Sequence, residues 1–183
     1  MKDIDKISMT GRLCYLFMCI EQYLVNMYPD RDWIPWALKS WQWTNKFWNE
    51  GEAIYETVVP EYLFEFDNYE ETNDKEFDGN LSKEDYEIFL ALYDGITDGK
   101  SGDELNYVLN LPVDFEAACE GSALSYAIKE TTPVLEKMVE ILEKHGIEVP
   151  PVTKVEFSPM TEKNGWGNFF DSTQHSIFLR EKI

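Results

Sequence analysis

Apolar residues recur at helical spacing along most of this chain. Leu13, Leu16, Phe17, Ile20, Leu24 and Met27 mark a first helix over about Asp3–Met27, with Gly11 as its weak point and Tyr28-Pro29-Asp30 as its stop. The next stretch, DWIPWALKSWQWTNKFWN (Asp32–Asn49), carries five of the six tryptophans. At about 100° per residue, Trp33, Trp36, Trp41, Trp43, Phe47 and Trp48 fall within an arc of roughly 160°. Asp32 can cap the first turn and Pro35 is tolerated near the start. As a strand, the same residues would put tryptophans on both faces, so the pattern predicts a helix. Each indole can bury on the order of 200 Å², and the stripe is expected to organise the packing of the other helices. The arc is wider than one packing seam needs, which leaves room for one or two tryptophans as a surface anchor.

Beyond Gly51 the helical pattern resumes over Glu52–Val58 and is interrupted at Pro60. Glu61–Tyr69 fits a short helix or a strand, with helix favoured. Glu70–Asn80 is polar and acidic and reads as a loop. Ser82 then offers an N-cap with Asp85 three residues on, opening a helix whose stripe is Tyr86, Phe89, Leu90 and Tyr93. Ile88 and Leu92 widen that stripe and predict a central, mostly buried helix. A short helix around Asp103–Leu109 is expected to stop before Pro112. Asp114–Glu130 reads as a small-residue helix, and Thr132-Pro133 opens another that Gly146 ends. After Pro150-Pro151 the pattern alternates at Val152–Phe157 and again at Ile177–Arg180, around the loop NGWGNFFD with an exposed-looking Trp166. The prediction is a mainly α, single-domain bundle of six or seven helices. Residues 1–149 form the helical domain, and 150–183 are a C-terminal extension packed on it, with room for a small β element.

Charge changes this picture more than composition does. Across 183 residues, 16 Lys and Arg face 35 Asp and Glu, a net charge of −19, with only Arg12, Arg31 and Arg180 as guanidinium groups. Phosphate contacts need Lys and Arg, so direct nucleic-acid binding is not expected, and an anionic membrane would repel the chain. The field favours a basic protein partner. The N-terminal segment is too polar for a signal peptide or a membrane span. Cys14, Cys19 and Cys119 lack metal spacing and read as reduced, buried thiols, which suits a cytoplasmic protein.

The usual chemistries find little support. His145 sits beside Lys144 at a helix end, where a cation suits the dipole. His175 lies in a polar run. There is no HExxH, CxxC, GxSxG, P-loop or GxGxxG; Gly99-Lys100-Ser101 fails as a Walker motif because Asp94 stands where its first glycine belongs. No cofactor is implied, and the chain is expected to be catalytically inert. Asp74–Asp85 partly matches an EF-hand loop, with Asp74, Glu76, Asp78, Ser82 and Asp85 as candidate calcium ligands. Glu76 at position three, Phe77 at four and Asp85 in place of a bidentate Glu count against it. Glu61–Glu87 carries eleven acids and two lysines, interleaved with Phe64, Phe66, Tyr69 and Phe77. It reads either as a solvated acidic loop or as a docking surface in which charge steers and rings hold. In the second reading the contact residues are Glu65, Asp67, Glu70, Glu71, Asp74, Glu76, Phe77 and Asp78.

With LCYLFMCIEQYL, then WALKSWQWTNKFW, then EGEAIYE, the chain resembles immunity proteins of bacterial polymorphic-toxin systems, in particular the mostly α-helical group with a tryptophan-bearing second helix. The resemblance spans Met9–Ala91 and rests on composition and helix pattern. It implies a non-enzymatic cytoplasmic protein that binds a cognate toxin, often a basic nuclease, and blocks its active site. A calcium-responsive binding protein and an acidic nucleic-acid mimic that inhibits a DNA-binding protein remain as alternatives.

Overall fold

The computed structural model describes residues 3–46, 54, 57–73, 81–100, 102–170 and 174–180. It is mainly helical, with a contiguous core and no strand among the described residues. The principal helices are α1 (Met9–Met27), α2 (Ile34–Ser40), α3 (Trp43–Lys46), α4 (Pro60–Leu63), α5 (Lys83–Tyr93), α6 (Glu104–Cys119) and α7 (Leu124–Lys144). Among the described residues no helix is long and apolar enough to cross a membrane.

The organising element is α1, not the tryptophan stretch. Every residue from Met9 to Glu21 is buried, as are Tyr23 and Leu24, so this helix is enclosed around its whole circumference. It begins later than the sequence suggests, because Ser8 caps it by accepting from Gly11 N, and Ile4–Lys6 form a separate 3-10 turn. The tryptophans wrap onto it. Phe17 meets the rings of Trp36, Trp41 and Trp43 at centroid distances of 6.1, 5.4 and 6.2 Å. The stretch is not one continuous helix: it breaks at Trp41-Gln42 between α2 and α3. The break reorients the indoles, and Trp33, Trp36, Trp41 and Trp43 are all buried. None of these four is a surface anchor; Phe47, Trp48 and Asn49 lie outside the described residues. Asp32 accepts from Ile34 N, but the N-cap position falls on Trp33, whose side chain makes no capping bond; Leu38 is exposed.

Two prolines expected at helix boundaries, Pro112 after an end and Pro133 at a start, lie inside helices. α6 runs through Pro112, and the small-residue segment divides at Glu120–Ala123 instead, where Gly121 takes φ 61°. Leu105, Val108, Leu109, Leu111, Phe115 and Cys119 are buried along α6, and this apolar burial outweighs the one backbone bond that Pro112 removes. Similarly, α7 continues through Pro133. There the Thr131 and Thr132 hydroxyls donate to the carbonyls of Ala127 and Ile128, while buried Arg12 donates to Ile128 O and Thr132 Oγ1. Pro60 does not merely interrupt; it opens α4 from its first position. Ser82 caps α5 as expected, accepting from Asp85 N at 3.0 Å. Yet α5 is half-buried rather than central, because Ile88 is exposed.

The C-terminal stretch forms turns, not strands. Val152–Val155 is a 3-10 helix, and only a single bridge, Ile7–Pro159, has β character among the described residues. A strand needs a partner ladder, and here the neighbouring backbone is the N-terminus of a helix. The segment supplies what that terminus lacks: Trp166 O accepts from Thr10 N and from Thr10 Oγ1, and Ser158 O accepts from Ser8 N. Trp166 is thereby half-buried, not the exposed loop residue its surroundings suggest.

Gly11 is packed closely by both Ile7 and the tail. A Cβ there would lie 2.6 Å from Ile7 Cγ2 and 2.9 Å from Ser158 Cβ. In a free helix, replacing glycine by alanine stabilises by roughly 0.5–1 kcal/mol. Here the Gly11→Ala variant is expected to lose about 1–3 kcal/mol, because overpacking overrides propensity. Urea unfolding measures it, and a variant more stable than the parent would refute the close approach.

Candidate functional site

Three polar constellations stand out from the packing. The first is the acidic corner between α4 and α5. Glu65, Asp67 and Glu70 are exposed. Glu71 is half-buried and folded back on its own loop, accepting from Asp67 N and Asn68 Nδ2 at 3.1 Å each. The rings between these acids serve as pins. Phe66 is buried. Tyr69 donates to Leu81 O, with its ring 5.8 Å from that of Tyr86. Tyr86 in turn donates to Phe66 O. Burial raises the Tyr86 hydroxyl above its ordinary pKa, and the fields of Glu71, Asp67 and Glu70 add to the effect. The corner is thus a set of carboxylates on a pinned scaffold, and Phe66 is not available as a contact. Phe64 is the partly exposed ring. Asp74, Glu76, Phe77 and Asp78 lie outside the described residues.

That last point also limits the calcium loop. Of its candidate ligands, Ser82 and Asp85 are described, and both have other work. Ser82 Oγ caps α5 and donates to Asp85 Oδ2, which also takes the Lys39 ammonium at 2.8 Å. Among the described residues no group of His, Cys, Asp or Glu is arranged to hold a metal. The cysteines are free and buried, as expected, and burial pushes Cys19 and Cys119 up to about 12.

The second constellation clamps the open end of the α6–α7 hairpin. Glu104, in the first turn of α6, meets the Lys144 ammonium and the His145 ring from the last turn of α7, and accepts from Tyr23 Oη at 3.2 Å. Each charge suits its own helix dipole, acid at the N-terminus and base at the C-terminus. Partial burial works against ionising Glu104, but hydrogen bonds from Lys144 and His145 outweigh it and hold the carboxyl below its ordinary pKa. His145 thus has the structural role its position suggests, with a partner from a distant segment. His175 stacks on Phe157 at 4.4 Å and packs edge-on to Phe170.

The third was not visible in the sequence. Glu21, the residue that breaks the apolar run of α1, is fully buried and accepts from Trp41 Nε1 at 2.7 Å, Ser176 Oγ at 2.5 Å and Ile177 N at 2.6 Å. It joins the tryptophan segment and the C-terminal tail through one carboxylate. Burial raises its pKa, and these three hydrogen bonds together with the charge of Arg180 only partly offset the rise. Beside it lies a small depression between Met18 and Gln22 of α1 and His175, Ile177 and Arg180 of the tail. A glutamate inside a strongly apolar helical run is the signal that could have marked it.

Comparison with family models, with characterised proteins and with solved structures finds no match to this chain.

The two carboxylates predict opposite pH effects. Glu104 is held below its ordinary value, so its contribution is present above about pH 4.5 and disappears as pH falls through the lowered pKa. Glu104→Gln should therefore be less stable than the parent at neutral pH, with the difference vanishing in acid. Glu21 is raised, so its contribution is present below about pH 4.5 and lost as pH rises through the raised pKa. The stability of Glu21→Gln relative to the parent should then improve as pH rises above 4.5. Thermal unfolding from pH 3 to 8 measures both, and parallel profiles for the two variants would overturn the assignment.

Proposed function

We propose that this chain is a non-enzymatic immunity-type protein that binds and neutralises a basic bacterial toxin of the nuclease type. Carboxylates at the corner between α4 and α5 take the place of the toxin's phosphate-bearing substrate. The observation that carries this reading is the rigid display of Glu65, Asp67 and Glu70 on loops tied down through Tyr69, Glu71 and Tyr86. A flexible acidic tail would lose entropy when ordered against a partner; a pinned one loses less. The segment Glu61–Glu87 holds almost half of the net charge in 27 residues, so attraction begins before contact. A surface that binds nucleic acid has to be positive, and a concentrated negative corner is drawn to it.

The test is kinetic. The candidate toxin, sought as a secreted protein encoded beside this chain, is produced as an inactive variant, and its association with this protein is followed by stopped flow across salt concentrations. The triple variant Glu65→Gln, Asp67→Asn, Glu70→Gln is expected to associate about ten times more slowly at low salt and to show a flatter salt dependence. Its unfolding should match the parent's, because those side chains are solvent-facing. Glu71→Gln is the structural control, expected to loosen the loop. If the triple variant associates at the parental rate at low salt, the corner is not the docking surface; if the active toxin kills cells despite co-production of this chain, the immunity reading fails.

A further inference from the structure

α2 and α5 lie side by side as an antiparallel pair, tied at both ends. Near the end of α2, Lys39 meets Asp85 in the first turn of α5. Just before α2, Arg31 donates to the carbonyls of Ala91 and Asp94 at the other end of α5, at 3.4 and 2.6 Å. Lys39 and Asp85 are therefore the facing positions, and the register sets Pro35 against the turn that holds Ile88. At about 100° per residue, Leu38 sits about 100° behind Lys39 around α2, and Ile88 about 60° on the same sense from Asp85 around α5. In an antiparallel pair, residues displaced in the same sense from the facing positions emerge on the same side. Both are exposed, Leu38 by 56% and Ile88 by 37%. Ala91, also exposed, and half-exposed Pro35 extend this apolar strip.

The border of the strip is acidic. Glu84 and Glu87 lie on the same exposed arc of α5, and Asp94 follows its end. The cations nearby are committed: Lys39 to Asp85, Arg31 to two carbonyls, and Lys83 to Glu87 at 4.0 Å. The face thus offers two parallel ridges with an apolar seam between them and a carboxylate edge.

We infer that the α2–α5 face is a docking groove for a basic amphipathic helix of the partner protein, with Leu38 and Ile88 gripping its apolar stripe and Glu84 and Glu87 meeting its flanking Lys or Arg. A third helix laid into the seam continues the packing that the pair begins. Charge selects the occupant, since a second copy of this chain would bring acid to acid. This deepens the immunity reading and rests on it: the corner steers the toxin and the groove holds it. The groove and the corner share one scaffold, because Tyr86, on the buried side of α5, packs on Tyr69.

The test uses the full-length protein and two labelled synthetic peptides of identical Lys and Leu composition, one with leucines at helical spacing and one scrambled. Fluorescence anisotropy should show the striped peptide binding at least about ten times more tightly than the scramble. Leu38→Ser with Ile88→Ser should remove that preference while leaving the weaker, salt-sensitive binding of the scramble intact. Glu84→Gln with Glu87→Gln should weaken both peptides and flatten their salt dependence. All four substitutions are at solvent-facing positions, and circular dichroism melting confirms the fold of each variant. Equal binding of the two peptides, or an unchanged preference in the serine variant, overturns the groove. If the corner variant Glu65→Gln, Asp67→Asn, Glu70→Gln abolishes toxin binding while the serine variant binds it normally, the groove falls and the immunity reading stands. If the groove behaves as expected and the toxin is not neutralised, the immunity reading falls and the groove stands.

Discussion

The structure depends on α1 being buried on every side. From Met9 to Glu21 every residue is buried, so the ordinary division of a helix into an apolar and a polar face does not apply. Whatever is polar on α1 has to be met from within. Arg12 is met by the carbonyls of Ile7 and Ile128 and the Thr132 hydroxyl, with exposed Asp5 at 3.6 Å. Glu21 is met by the indole of Trp41 and by the tail. The free N–H groups of the first turn are met by Ser8 and by Trp166 O. Leaving any one of these without a partner costs about 1–3 kcal/mol or more, because each is sealed from water. The C-terminal residues are therefore part of the core's polar accounting. The partners lie 150 to 156 positions apart in sequence, so the two ends of the chain must come together before the central helix is complete.

The same fact explains which parts of the fold were legible in the sequence. Local signals worked where local physics decides: the Ser82 cap, the Asp103 region where Asp103 accepts from Asn106 N, the Gly146 stop and the buried thiols. They misled where tertiary contact overrides propensity. Pro112 and Pro133 look like boundaries because a proline removes one backbone bond, but each sits in a helix whose apolar face is buried by its neighbour. Val152–Phe157 alternates like a strand, yet alternation only helps when a second strand is present to pair with it. The tryptophan arc marked the right residues as core but the wrong element as the centre. A projection of α2 and α3 as one ideal helix cannot show the break at Trp41-Gln42 that turns the indoles toward Phe17.

For the candidate site, composition was more legible than geometry. The acidic density of Glu61–Glu87 is plain in the sequence, and the exposure of Glu65, Asp67 and Glu70 agrees with it. That the intervening rings are pins rather than contacts is not plain, since Phe64, Phe66 and Tyr69 have the same spacing either way. Only the partners separate them: Tyr69 reaches Leu81 O, Phe66 is buried, and Phe64 keeps an exposed edge. Likewise, Leu38 falls outside the tryptophan arc, and Ile88 looked like core. Placed on an antiparallel pair they share a side, which no one-dimensional pattern can express.

Charge is divided unevenly along the chain, and the division follows the architecture. Residues 1–149 hold 31 acidic against 12 basic residues, while 150–183 hold four of each, so the helical part carries the entire net charge. The tail lies against α1, where a strong field of its own would act on Glu21 and Arg12 at close range. A balanced tail leaves their hydrogen bonds to decide the energetics. The excess acid is carried instead on surfaces facing water, where like charges are screened within about 8 Å at physiological salt and cost little stability. Several charges are met in place, Asp85 by Lys39 and Glu104 by Lys144 at the surface and Glu21 by its hydrogen-bond donors inside. Among the described residues, what stands without a cation beside it is the outward charge of Glu65, Asp67 and Glu70 at the corner and of Glu84 on α5. Glu21 and most of the Arg12 guanidinium find their hydrogen-bond partners inside the fold, which leaves the outward charge of the corner without that structural task.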